Sequence, residues 1–541
     1  MLRIKTVLPT PIYTIRVCNT DDKIMFIRIV VLMRIQYIAV IAAAALIAAG
    51  GLLFYFTQNN GSAPDEGYLY ALYTDSEKNL NIIDVYESHF EDGKATSLTQ
   101  RYRTSDSLDG INSFWQFDKD TGKGPFGTFY AAINLMDSGK AYEADDKIEK
   151  RRSTSVGSVA YILDPYNLTK TLAGNTFTTD LYNVMLMIPT VYWTSDKVVA
   201  DSTKGNLVKG TEYNVLYVSS SSSYAPSGHE RIEGMKAYAH SASTSSGKTD
   251  FETNIYPYLG IGVYESYATN DGDPAGAGKL VSQSGKVPTT QIDVDGFKAL
   301  ADALTPADSK RMRSDYQQWN YYQWTLYKIM SYTVMGSKNA QVMVDPGFTE
   351  ENTSCAVTGS TDSIGFIGAA ESTLTAEGTI STGKGKTAAK LFIENSWGSL
   401  NVFVGDAYVT GETHDAMYLH PGNYLGGENV VETRTQPLME KWADVYRTGE
   451  RHRVIAGAST TPAVWDTPIL ADANKDAYTD TAFPGDIVNA AEKGVFSLTA
   501  GGRWDNTYYA GVAFICAGYD IGLANEYRGA RLAYLLSEDT G

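Results

Sequence analysis

GGRWDNTYYAGVAFICAGYDIGLANEYRGARLAYLL, residues 501–536, is the stretch of this 541-residue chain that decides its organisation. Large aromatic rings alternate in it with short polar side chains, and it closes with an apolar run typical of a β-strand. Rings supply contact area at little cost in side-chain entropy, and Asn and Asp supply adaptable hydrogen bonds. The segment therefore predicts a ligand-binding surface followed by a core strand, with a buried aromatic core as the alternative.

The charge of the chain is uneven and, beyond the N-terminus, strongly acidic. The formal net charge is −17; six basic and two acidic residues precede Ile35, which leaves 39 basic and 60 acidic residues in the rest. An anionic surface does not neutralise phosphates, so we expect no nucleic-acid partner. Cys18, Cys355 and Cys516 are too widely spaced for a disulfide scaffold or a zinc motif, which leaves either one long-range disulfide or free thiols.

An uncharged apolar run, IQYIAVIAAAALIAAGGLLFYF, extends from Ile35 to Phe56. As a helix it is long enough to cross a hydrocarbon core of roughly 30 Å. The basic residues before it predict a cytoplasmic N-terminus and an extracellular bulk, in a single-pass protein of the cell membrane. A cleaved signal peptide is the alternative. Around the span we expect a cytoplasmic segment or gene-model extension at 1–34 and a polar stalk at 57–66.

The rest of the chain alternates short strand-like runs with two helical patterns. Residues 67–105 predict a small β-rich segment. The run LYNVMLMIPTVYW, residues 181–193, is almost wholly apolar and predicts a strand buried on both faces. Residues 295–304 predict a helix with an Asp cap. A second helix is predicted from a capping box of Ser314 and Gln317 to Gly336.

Several motifs resemble those of a known group of proteins. QQWNYYQWTLYKIMSYTVMGSKNAQ (317–341), together with YPYLGIGVYES and GKLVSQSGKVPTT, resembles adhesin-like proteins of phage tails and of microbial, notably archaeal, surfaces. ENSWGSLNVFVGDAYV, GGRWDN and RGARLAYLL resemble the C-type-lectin-like fold of formylglycine-generating enzymes and of the variable proteins of diversity-generating retroelements. The resemblance covers residues 106–541 and implies an α+β, C-type-lectin-like ligand-binding domain of short twisted sheets, two helices and long loops, after a single N-terminal transmembrane helix.

In that fold the last strand returns beside an early one, and the loops before it present the ligand. The resemblance therefore implies a membrane-anchored surface protein for adhesion or ligand recognition, with an extracellular protein or glycan as its partner. Its terminal stretch is either diversified by a retroelement or not. Carried over, Gly501, Gly502, Arg528, Gly529 and Arg531 are framework positions. The candidate ligand contacts are Trp504, Asp505, Asn506, Tyr508, Tyr509, Cys516, Gly518, Tyr519, Asp520, Asn525, Glu526 and Tyr527, with Trp504 as either contact or framework.

The sequence offers no catalytic constellation, so we expect a binding protein without a cofactor. Formylglycine-generating enzymes bind copper through two closely spaced cysteines, whereas the cysteines here are distant. An extracellular enzyme, either such an oxidase or a glycan hydrolase, is one alternative, and a structural surface-layer component is another. Calcium is the candidate metal, because Asp472, Asn474, Asp476 and Asp480 have the spacing of early calcium-loop ligands. Ala477 and Phe483 replace the glycine and glutamate of such a loop, which makes a solvated turn the alternative.

Overall fold

A computed structural model describes most of the chain between residues 68 and 536. The described ranges are 68–74, 80–84, 90–91, 94–95, 101–103, 108–135, 159–200, 203–220, 236–237, 243–245, 248–250, 258–269, 278–304, 316–337, 339–350, 353–413, 416–420, 436–437, 488–490, 494–507, 510–512, 514–517 and 519–536. All of them belong to one compact unit, Ala63–Gly541.

Strands dominate these ranges. The helices are α1 (Leu108–Phe114), α2 (Val294–Asp302), α3 (Tyr321–Met335) and α4 (Ala340–Met343). The strands, in chain order, are β1 (Leu69–Thr74), β2 (Leu80–Asp84), β3 (Phe90–Glu91), β4 (Lys94–Ala95), β5 (Arg101–Arg103), β6 (Phe129–Asn134), β7 (Val159–Asp164), β8 (Asn167–Thr171), β9 (Tyr182–Pro189), β10 (Tyr192–Val199), β11 (Glu212–Ser219), β12 (Lys236–Ala237), β13 (Ser243–Ser245), β14 (Lys248–Asp250), β15 (Tyr258–Gly262), β16 (Tyr267–Thr269), β17 (Lys279–Val281), β18 (Tyr316–Gln318), β19 (Ile367–Ala369), β20 (Ser372–Leu374), β21 (Ile380–Thr382), β22 (Ala389–Leu391), β23 (Ile393–Glu394), β24 (Asn401–Thr413), β25 (Ala416–His420), β26 (Gln436–Pro437), β27 (Val488–Ala490), β28 (Gly494–Ala500), β29 (Ile515–Ala517), β30 (Arg528–Gly529) and β31 (Leu532–Leu536).

Two predictions from the sequence are corrected by these elements. Strands make up 39% and helices 16% of the well-defined residues, so the predicted α+β class is wrong. Many segments that read as loops form strands of two or three residues, which are too short to leave a periodic pattern in the sequence. The predicted single-pass membrane location is wrong for the described ranges, in which no helix is long and apolar enough to span a bilayer. The predicted span at 35–56, its flanking segment at 1–34 and the stalk at 57–66 lie outside the described residues.

A seven-stranded sheet, here called the central sheet, forms the core. Its order is β18-β31-β15-β9-β6-β7-β8. The strand predicted over 181–193 is confirmed as β9 for residues 182–189, and its first seven side chains are buried between β6 and β15. The end of the predicted run is corrected, because Tyr192 begins β10 of a different sheet. The last strand, β31, pairs with β15 on one side and with β18 on the other. Because β31 is an inner strand that is paired on both sides, the chain immediately before it is held against the core.

Two further large sheets are formed by strands from other parts of the chain. A six-stranded sheet has the order β12-β10-β11-β1-β2-β5, so strands from 67–105 share it with β10 and β11. In the other sheet, β24 pairs with β25 and β28, β28 pairs with β29, and β30 adds to β24 in parallel. This last sheet, here called the C-terminal sheet, contains two inner strands of the 501–536 stretch, β29 and β30.

The helix signals were partly correct. Helix α2 begins at an Asp cap, since the Asp293 carboxylate accepts a hydrogen bond from the Gly296 amide. Helix α3 ends at Gly336 in the left-handed conformation, as predicted. Its predicted capping box is wrong. The box consists of Asn320 and Gln323, because residues 316–318 pair with β31 and the helix can begin only after them.

Buried charged side chains tie the loops beside the sheet together. The Glu394 carboxylate accepts hydrogen bonds from the amides of Gly359 (2.8 Å) and Thr361 (2.9 Å) and from the Thr361 hydroxyl (2.7 Å). Burial raises the pKa of Glu394 and of Asp362 above their ordinary values. Burial lowers the pKa of Lys390 to about 8 against the pull of those two carboxylates. In this cluster the charges of the two carboxylates partly offset the cost of burying the Lys390 ammonium group.

A second buried carboxylate, Glu265, joins the central sheet to the start of β24. It accepts hydrogen bonds from the Ser399 hydroxyl (2.7 Å) and from the Leu400 amide (3.0 Å). Burial raises the pKa of Glu265 to about 8, although Arg531 and these two hydrogen bonds act in the opposite direction. Glu265 thereby fixes the turn that leads into the C-terminal sheet.

Candidate functional site

The two surface segments of the C-terminal stretch lie side by side. They are residues 503–507 and 519–527, here called the C-terminal loop surface. The rings of Trp504 and Tyr527 are 5.2 Å apart, and the guanidinium of Arg503 lies 3.8 Å from the centre of the Tyr527 ring. These contacts join the two segments into one surface.

The first segment is fixed by a tight turn. Gly501 and Gly502 both adopt positive φ angles, of 90° and 86°, that only glycine adopts without strain. A Cβ on Gly502 would lie 2.7 Å from the Cβ of Ala510, so there is no room for a side chain. The amide of Trp504 donates to the carbonyl of Ser399 (3.1 Å), which sets the depth of the turn against β24.

The turn is held from the other side by helix α4. The Gln341 Nε2 group donates to the carbonyls of Thr507 (2.8 Å) and Ala510 (2.6 Å). The Thr507 amide donates to the Thr349 carbonyl (2.9 Å), although Thr507 has a φ of 51°, which is unusual for a residue with a side chain. Fixed contacts therefore hold a conformation that the segment would not favour alone.

The second segment is a pair of consecutive turns. Asp520 caps the first, since its Oδ1 accepts from the Gly522 amide (3.0 Å), and Asn525 caps the second by accepting from the Tyr527 amide (3.2 Å). Both ends are attached to the core. The Ser497 amide donates to the Tyr519 carbonyl (3.1 Å), and the Asn401 amide donates to the Tyr527 carbonyl (3.0 Å).

Two arginines pack against the tyrosines of this surface. Arg503 packs on Tyr527 and forms an ion pair with Asp505, in which Nε lies 2.5 Å from Oδ1. Arg528 packs on Tyr519, with 4.1 Å between the guanidinium carbon and the ring centre. A guanidinium against a ring face is a favourable cation–π contact that also fixes the ring orientation. Tyr519 and Tyr527 thus each have a guanidinium packed on one ring face.

The candidate contacts predicted from the sequence divide into three groups. Asp520 and Glu526 are exposed, and Asp505, Asn506, Tyr519, Asn525 and Tyr527 are half-buried at the surface. The structure brings these seven together on the C-terminal loop surface. Tyr508, Tyr509 and Gly518 lie outside the described residues.

The third group, Trp504 and Cys516, is buried. Trp504 is 5% exposed and packs with Phe348 and Leu400, so it belongs to the framework, the second of its two predicted roles. Cys516 is 3% exposed and packs against Phe514. Neither side chain contacts a ligand at the surface in this conformation, because both are buried.

The cysteines and the predicted metal ligands are the remaining candidates for chemistry. Cys355 and Cys516 form no disulfide with each other, and both are buried. Burial raises the pKa of Cys355 to about 12, which keeps it protonated and unreactive. Within the described ranges no group of three or more His, Cys, Asp or Glu could hold a metal ion. The calcium candidates Asp472, Asn474, Asp476 and Asp480 lie outside those ranges.

Comparison with known proteins adds no family. No protein-family model matches the chain, and no curated protein is similar to it in sequence. The resemblance to C-type-lectin-like proteins therefore stays a prediction.

Three residues that shape the surface were not among the sequence candidates. Arg503 was not singled out, Arg528 was assigned to the framework, and Gln341 lies more than 150 residues away from the loop that it holds. The stretch 503–528 contains two arginines and four tyrosines, and this composition was the available signal for the two stacks. Nothing in the sequence pointed to Gln341.

Proposed function

We propose that this chain is a binding protein that recognises a protein or glycan ligand through the C-terminal loop surface. This is the role that the loops before the last strand have in the C-type-lectin-like proteins that the chain resembles. The observation that carries the proposal is the pair of tyrosines, Tyr519 and Tyr527. Each ring packs on a guanidinium group, and short polar side chains border both rings.

The physical argument is preorganisation. A ligand that binds a mobile loop must offset the entropy of ordering it, whereas a loop already fixed by hydrogen bonds presents its rings at little further cost. Here the two segments are attached to β24, β28 and α4 through their backbone. Asp520, Gly522, Ala524 and Glu526 are exposed between half-buried residues. These positions can vary in sequence without disturbing the core, which suits a surface adapted to different ligands.

The test starts with a ligand. The full chain is screened on a glycan array and against a peptide-display library, and the dissociation constant of the best ligand is measured by calorimetry. Leu523→Ser and Glu526→Ala are the surface variants, because both residues lie on the second segment and contribute little to the core. Truncation of a contact at the centre of an interface weakens binding about tenfold or more.

The matched control is Ile380→Ser, which changes an apolar side chain that is 66% exposed on the β20–β21 hairpin. We expect wild-type affinity for this control. The proposal fails when neither surface variant weakens binding, or when Ile380→Ser weakens it as much as they do.

A further inference from the structure

Two arginines that immediately precede the last strand are buried, and they differ in how their charge is accommodated. Arg528 is 1% exposed and Arg531 is 0% exposed. Arg531 donates from Nη1 and Nη2 to four backbone carbonyls, at distances between 2.7 and 3.2 Å. Burial lowers the pKa of Arg531, and the charges of Glu265 and Glu394 act in the opposite direction. These acceptors compensate the two terminal nitrogens of the buried guanidinium, while its Nε makes no hydrogen bond to a described residue.

Arg528 has no such compensation among the described residues. Its Nε and Nη1 atoms are buried and make no hydrogen bond within the structure. Burial lowers the pKa of Arg528, as does the charge of Arg503, and only Cys516 and Tyr519 oppose this; no described carboxylate acts on it. The rings of Tyr519 and Phe403 lie 4.1 and 5.9 Å away. Stacking fixes the guanidinium plane but leaves its donors unused.

We propose that Arg528 is an anion subsite within the C-terminal loop surface and that it pairs with a carboxylate group of the ligand. The inference rests on the proposed function and specifies the ligand class. Each of the two bidentate edges of a guanidinium includes Nη2 together with either Nε or Nη1, so a carboxylate pairs with an unused donor on either edge. The geometry favours a monoanion over a phosphate, because the neighbouring cation, Arg503, is already paired with Asp505.

Access to Arg528 depends on Tyr519. The ring is only half-buried and covers one face of the guanidinium. In the proposed complex the Tyr519 ring changes its rotamer to admit the carboxylate, and side-chain rotamer changes are common when interfaces form. The tyrosine thus covers the cation in the free protein and borders the carboxylate in the complex.

The experiment uses small probes and the full chain. N-acetylglutamate N-methylamide represents a peptide carboxylate and methyl β-glucuronide represents a sugar carboxylate. The methyl esters of both acids serve as uncharged controls. The readout is the Nε–H resonance of Arg528 in arginine-labelled protein, assigned with Arg528→Lys. We expect a saturable shift of this resonance with one or both acids and none with the esters, and the acid that shifts it identifies the source of the carboxylate.

Variants then test the residue. Arg528→Gln should weaken binding of the effective acid about 10- to 100-fold, the loss expected for a charge-assisted pair. Lys209→Gln, which removes an exposed cation between β10 and β11, should leave the affinity unchanged. Shifts with the esters, no shift with either acid, tighter binding of inorganic phosphate, or equal losses in the two variants would overturn the inference. If Arg528→Gln does not fold, the acid and ester titrations of the wild type still decide.

The inference and the proposed function fail separately. A ligand that depends on Leu523 and Glu526 but binds Arg528→Gln as tightly as wild type leaves the function intact and removes the anion subsite. If a carboxylate binds at Arg528 but no ligand depends on Leu523 or Glu526, the anion site stands and the proposed function fails.

Discussion

Gln341→Ala should loosen the first segment of the C-terminal loop surface while the rest of the protein stays folded. Gln341 is the side chain through which helix α4 holds the turn, with hydrogen bonds of 2.8 Å to Thr507 and 2.6 Å to Ala510. The substitution removes both bonds and leaves the helix intact, because alanine is a strong helix former.

The magnitude follows from the two lost bonds. Each is worth about 0.5–1.5 kcal/mol, and the exposure of Gln341 lets water replace part of it, so the local loss is about 1–2 kcal/mol. Thr507 adds to the tendency to open, because its φ of 51° is relaxed once the turn is free. A local loss of this size is about a 5- to 30-fold increase in the open population.

Amide hydrogen exchange measures this population directly. The reporters are the amides of Asn506 and Gly511, which donate to carbonyls within the turn. We expect their protection to fall about 5- to 30-fold in Gln341→Ala, with little change in the strands of the central sheet. Val342→Ala is the matched control, since Val342 is on the same helix and 58% exposed. Equal protection in the two variants would refute the claim that Gln341 preorganises the surface.

Three further predictions concern stability, each read from urea unfolding. Burial raises the pKa of Glu265 to about 8 in the folded protein. Its contribution to stability is therefore fully present below pH 4.5 and is lost as the pH rises to about 8, at up to about 1.4 kcal/mol per pH unit. Glu265→Gln should remove that slope. Lys390, with a lowered folded pKa of about 8, acts in the opposite sense, so its unfavourable contribution is relieved between pH 8 and 10.5; Lys390→Met should abolish this rise. Asn320→Ala, which removes the capping box of α3, should cost about 1 kcal/mol, and an unchanged midpoint would contradict the assigned cap.

Local signals in the sequence were sufficient for elements that depend on their own residues. The apolar run around β9 predicted a buried strand because burial on both faces requires apolar side chains at every position. Gly336 ended α3 because a left-handed residue is needed there. The start of the same helix was misplaced, since Tyr316–Gln318 is taken up by pairing with β31, more than 200 residues away.

The site depended more heavily on distant contacts. The sequence indicated that the C-terminal stretch mixes rings with polar groups, but the burial of Trp504 follows from Phe348 and Leu400, which no local pattern links to it. The same limit applies to Arg528 and Arg531. Both are arginines before the last strand. Only the folded chain shows that Arg531 pairs both terminal nitrogens with carbonyls, including those of β15 and β23, while Arg528 leaves Nε and Nη1 unpaired.

Hydrogen exchange of the full chain, with and without the ligand found by screening, tests the central claim most directly. The account predicts that binding increases protection in residues 503–507 and 519–527. Protection confined to another exposed surface, such as the β20–β21 hairpin with its exposed Leu374 and Ile380, would contradict it.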